Sequence, residues 1–144
     1  MRINFDMDGT IANLYGVENW LECLQNHDTT PYAQAEPLLR MSSLARVLNR
    51  LQRQGYEICI ISWLSKCSNQ DYDINVTQAK IEWLHNHLPS VEWDEITIVP
   101  YGTPKEQFCY SLDDILFDDE YHNRENWFGQ AFDVDIIMDI LKEL

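Results

Sequence analysis

The sequence predicts an α/β fold, one domain in three layers with a mainly parallel five-stranded sheet between helices. Two observations carry that expectation. Short apolar runs at residues 2–6, 56–62, 95–100, 115–119 and 131–134 alternate with stretches whose apolar residues recur at helical spacing. Such alternation needs crossover connections, which make the sheet parallel. Three of the runs also end in polar functional residues: Asp6 and Asp8, Ser62, and Asp118 and Asp119. Parallel strands bring those ends to one edge, where open α/β sheets place their chemistry.

The first strand contains Ile3 and Phe5. If the chain stays extended through Met7, Asp6 and Asp8 point to the same side. Gly9 then turns the backbone sharply and exposes amide groups, and Thr10 adds a hydroxyl. Val17 to Leu24 reads as a helix, ended by a loop from His27 to Pro31. Ser42 to Gln54 reads as a second helix, with Leu44, Val47, Leu48 and Leu51 on one face and Gly55 as its C-terminal cap. Tyr56 to Ser62 is apolar enough for a strand buried on both faces. A polar loop from Lys66 to Asp73 leads into a helix from Ile74 to Leu88, stopped by Pro89. A third strand, a short helix from Lys105 to Tyr110, the strand ending in Asp118 and Asp119, and a fifth strand follow. Asp133 and Asp135 are expected to cap a last amphipathic helix through Ile136, Ile137, Ile140 and Leu141.

A chain of 144 residues, 45% of them apolar, has enough to bury a single core. Its net charge of −14 repels nucleic-acid backbones and anionic lipid, so nucleic acid is not an expected partner. The same field repels phosphate esters, so any phosphate site must carry its own cations. Cys23, Cys59, Cys67 and Cys109 form no Cys-x-x-Cys pair and read as reduced thiols. The first strand begins almost at Met1, and no apolar run approaches the ~18 residues of a membrane span. The expectation is a cytoplasmic protein with no membrane partner. A calcium loop is excluded at Asp6: Gly9 stands at the fourth loop position rather than the sixth, and Val17 occupies the twelfth.

Asp6-Met7-Asp8-Gly9-Thr10, at the end of a first strand, resembles the first motif of the haloacid dehalogenase (HAD) superfamily, whose members are mostly magnesium-dependent phosphohydrolases with a Rossmann-like core. The resemblance continues in order. Ile60-Ile61-Ser62 is similar to the second motif, Lys105 to the third, and Ile115-Leu116-Phe117-Asp118-Asp119 to the fourth. It implies that Asp6 attacks phosphorus to form an aspartyl-phosphate, and that Asp8 protonates the leaving group and then activates water. Thr10, Ser62 and Lys105 would bind the phosphoryl oxygens. Mg²⁺ would be held by Asp6, the carbonyl of Asp8 and Asp119, with Asp118 as ligand or supporting partner. Lys80 and Lys66 compete with Lys105 and read as solvated lysines, while His27, His85, His87 and His122 read as surface residues.

Residues 13–40 leave room for only a small helical cap or linker. Ala79 to Leu84, and Ile115 through Asn123, resemble the cytosolic 5′(3′)-deoxyribonucleotidase branch, which implies a nucleotide-like small-molecule phosphate ester as substrate. Tyr15, Trp20 and Trp63 are candidates to stack on a base, although aromatics at such spacing more often serve a core. Two alternatives stand beside this reading. An open site would admit polynucleotide ends, with Arg40, Arg46, Arg50 and Arg53 as the one dense basic cluster. A catalytically idle HAD-like binding module is the other.

Overall fold

The computed structural model describes residues 1–144. Its central sheet contains β1 (Arg2–Phe5), β4 (Glu57–Trp63), β5 (Glu95–Val99), β6 (Ile115–Phe117) and β7 (Gln130–Phe132). All pairs are parallel, in the order β5-β4-β1-β6-β7. Register decides where the chemistry lands. Phe5 lies level with Ile60 on one side and with Phe117 on the other. Asp6 and Asp118 therefore leave the sheet side by side, and Ser62 lies two residues past Ile60 on the same edge.

One face of the sheet carries most of the core. Ile3, Phe5, Ile58, Ile60, Ile115 and Phe117 alternate along their strands and pack under α3 (Met41–Arg53), α4 (Gln70–His87) and α6 (Ile137–Glu143). The rings of Phe5 and Phe117 stack at 5.2 Å. The opposite layer is thin. Ile61, Leu116 and Trp127 meet Phe108, Cys109 and Ala131 beneath a 3₁₀ turn at Lys105–Phe108. Leu48 sits fully buried on α3. Leu48→Ala is expected to cost about 3 kcal/mol, roughly 10 °C in Tm by thermal denaturation.

Several local expectations shift, each for a physical reason. The first strand ends at Phe5 because the Met7 carbonyl accepts hydrogen bonds from the amides of Thr10, Ile11 and Ala12, which folds the chain into a turn. The first helix, α1, covers Trp20–Gln25 rather than starting at Val17. The expected loop through Pro31 is instead a helix, α2 (Thr30–Gln34): proline at the first turn needs no amide donor and initiates rather than breaks. The helix after β4 starts four residues earlier than Ile74, since Asn69 caps it by accepting from the Tyr72 amide. A further helix, α5 (Tyr121–Asn126), follows the two acids of β6 where only loop was expected. A two-stranded ribbon, β2 (Ala12–Asn13) with β3 (Glu36–Pro37), closes the base of the insertion that holds α1 and α2. Gly55 ends α3 at a φ of 97°, as its capping role requires. All four cysteines are free thiols. No helix is long and apolar enough to cross a membrane.

Candidate active site

The C-terminal edge of the sheet opens into a cavity of about 230 Å³. Asp6, Asp8, Lys105, Asp118, Asp119 and Asn123 line its floor, and Tyr15, Trp20, Leu21, Tyr32, Trp63 and Tyr101 line its walls. Although β1 ends early, Asp6 and Asp8 still reach the same cavity, with the intervening Met7 side chain buried.

Lys105 lies at the centre of the floor. Its ammonium is 1% exposed and donates to Asp6 Oδ1 at 2.9 Å and Asp118 Oδ2 at 2.8 Å. Burial works against its charge, but the two carboxylates outweigh burial and hold its pKa above the ordinary lysine value. Burial likewise opposes the charge on Asp6, yet Lys105 wins and keeps that carboxyl below its usual range. Asp118 is fixed from three sides: Lys105 and the Asn123 amide nitrogen donate to Oδ2, and the Glu120 amide donates to Oδ1.

Asp6, Asp118 and Asp119 each offer an oxygen within 4.8 Å of the others. Burial and then the charge of Asp6 raise Asp118 to about 6 and Asp119 to about 8. Asp119 and Asp6 lie close enough that their like charges oppose each other. Hard oxygen donors with uncompensated negative charge fit a divalent cation such as Mg²⁺. Gly9 lets Asp119 approach: its φ is 81°, and a β-carbon there would collide with Asp119 Oδ2. The Asp8 side chain stands outside this cluster. Burial pushes its pKa up, only partly offset by Lys80 at 2.8 Å.

Two predicted phosphate ligands turn inward. Thr10 is 1% exposed; its hydroxyl donates to Asp6 Oδ2 at 3.0 Å and accepts from the Asp119 amide at 3.2 Å. Ser62 is fully buried, and its hydroxyl accepts from Lys80 at 2.7 Å. Neither lines the cavity, whereas Ser65 and Lys66 do. The reading of Lys80 as a solvated lysine is overturned, because it is 1% exposed and part of the site. A signal existed: Lys80 follows Val76 by four residues and precedes Trp83 by three, inside the buried stripe of α4. Asn123, the last residue of the run from Ile115, is turned onto Asp118 by α5.

Residues 32–142 match the family described as 5′ nucleotidase, deoxy (Pyrimidine), cytosolic type C protein. Among solved structures, the chain is similar to a chain of the Pnkp1/Rnl/Hen1 complex at 17% identity and a TM-score of 0.53, with 92% of this chain and 44% of that one covered. The present chain thus spans less than half the length of that protein. It is also similar to D,D-heptose 1,7-bisphosphate phosphatase from Burkholderia thailandensis at 12% identity and a TM-score of 0.56, covering 99% of this chain and 96% of that one. At these identities the likeness is one of fold. No curated protein matches the chain. The family match covers most of the chain, from within α2 through most of α6, and this chain therefore belongs to the 5′ nucleotidase, deoxy (Pyrimidine), cytosolic type C family.

Proposed function

We propose that the protein is a magnesium-dependent phosphomonoesterase that works through an aspartyl-phosphate on nucleotide-like small molecules. The observation that carries this reading is the paired use of Asp6 and Lys105. Both oxygens of Asp6 are held, one by Lys105 and one by Thr10, so its carboxylate meets the cavity in one orientation. A lysine has three N–H donors. Lys105 spends two on Asp6 and Asp118, leaving the third for a phosphoryl oxygen.

In the reaction, an oxygen of Asp6 bonds to phosphorus as the phosphorus–ester bond breaks. The released electron pair goes to the leaving oxygen, which takes the proton of Asp8. Water then attacks the aspartyl-phosphate and gives a proton to Asp8, restoring Asp6 and releasing inorganic phosphate. Asp6, Asp119 and the backbone carbonyl of Asp8 would hold the metal, while Asp118 supports Lys105. Mg²⁺ when bound supplies charge neutralisation for the attacked phosphoryl group. Thr10 and Ser62 act one step back, Thr10 on Asp6 and Asp119 and Ser62 on Lys80.

The insertion at about 13–40 serves as the cap and sets the substrate. Tyr15 and Trp20 meet edge to face at 4.9 Å, and Trp63 and Tyr101 pair at 5.0 Å. Flat apolar rings beside a phosphate-sized anionic floor suit the base of a mononucleotide. The basic cluster does not favour polynucleotide ends, since Arg40, Arg46, Arg50 and Arg53 all lie off the cavity. A panel of deoxynucleoside monophosphates, set against a 3′-phosphorylated oligonucleotide with Mg²⁺ present, tests the reading through phosphate release. The mononucleotides are expected to give kcat/KM at least tenfold higher; preference for the oligonucleotide reverses the substrate assignment.

A further inference from the structure

We infer that Lys80 is a positioning residue that fixes which oxygen of Asp8 handles the proton. The inference rests on the phosphatase reading above. Lys80 comes from α4, and its ammonium is buried beneath the cavity floor. It donates to Asp8 Oδ2 at 2.8 Å, Ser62 Oγ at 2.7 Å and the Trp63 carbonyl at 2.7 Å. Those three acceptors use all three of its N–H donors. Lys80 therefore has none left for a phosphoryl group, unlike Lys105, and does not act as a second phosphate ligand.

Its effect falls on Asp8 instead. With Oδ2 held, Oδ1 is the Asp8 oxygen without a protein partner, on a residue that lines the cavity. Held from below, the carboxyl presents that oxygen to the leaving group and cannot rotate toward the Asp6–Asp119 cluster. Lys80 also ties the Asp8 turn to the end of β4 through Ser62 and Trp63, and the Tyr32 ring of α2 covers its ammonium at 5.2 Å. The insertion thereby closes over the group that orients the proton donor. Loss of orientation in a general acid costs most when the leaving group cannot depart unprotonated.

The test compares two phosphate esters on one protein. Lys80→Met is expected to lower kcat/KM for a deoxynucleoside monophosphate, whose alkoxide needs the proton, by about 100-fold. For 4-nitrophenyl phosphate, whose phenolate leaves without help, the loss is expected to stay under about fivefold. A partly unfolded sample scales both values alike, so the ratio reads the role even if stability drops. Lys80→Arg, which keeps the charge and a donor to Asp8, is expected to recover part of the ratio. Equal losses on both esters, or a change confined to KM, overturn the inference in favour of a structural or phosphate-binding role. The phosphatase reading is judged apart from it, by whether the unaltered protein hydrolyses either ester.

Discussion

Asp6→Asn is expected to lower kcat/KM for every phosphomonoester by roughly 10⁴-fold or more, the order of loss when a covalent nucleophile is removed. Asparagine keeps the shape of the side chain and an oxygen for Lys105, but its amide cannot form the acyl-phosphate. The variant is expected to fold. Lys105 keeps its 2.8 Å bond to Asp118, and one of three crowded carboxylates becomes neutral. Phosphate release measured alongside circular dichroism separates chemistry from folding. Activity retained by a folded Asp6→Asn protein would remove Asp6 from the reaction. A folded wild-type protein with no activity on any ester, with Mg²⁺ present, would favour the idle binding module.

Chelation is expected to abolish hydrolysis, and the metal's effect on stability should grow with pH. In the metal-free protein, burial and the neighbouring Asp6 charge raise Asp118 to about 6 and Asp119 to about 8. An unfolded aspartate titrates near ~4. Between those values the folded state keeps protons that the unfolded chain has released. The stability these two groups supply is complete below about pH 4 and is lost as pH rises through 6 and then 8. Asp6 runs the other way, its pKa being lowered, but its contribution changes only in acid. The raised Lys105 loses its contribution only in strong base. Mg²⁺ competes with the bound protons and binds best once they have left. The Tm in EDTA should therefore fall from pH 5 to 8, and the increase on adding millimolar Mg²⁺ should be larger at pH 8 than at pH 5. An increment independent of pH would mean that the metal does not bind at Asp119.

The parts of this protein that its sequence determined are those governed by local rules. The alternation of buried runs with helical stretches implied a parallel sheet, and the acids after Phe5 and Phe117 sit where such a sheet exposes its strand ends. Asp6, Asp118 and Asp119 follow strand ends, whose place the sheet fixes whatever packs around them, while Asp8 sits in the turn after β1 and Lys105 joins them from a 3₁₀ turn. Boundaries were less legible where one hydrogen-bonding group changed the outcome, as with the Met7 carbonyl that ends β1 or Pro31 that begins α2.

Tertiary structure alone decided what each polar side chain does within the site. A helical lysine is solvated or buried according to how its helix rotates on the sheet, and α4 turns Lys80 inward onto Asp8. The same packing spends the hydroxyls of Thr10 and Ser62 on neighbours rather than on the cavity. Local periodicity sets where a side chain starts, but burial obliges every polar group to find a partner. Those partners come from distant parts of the chain.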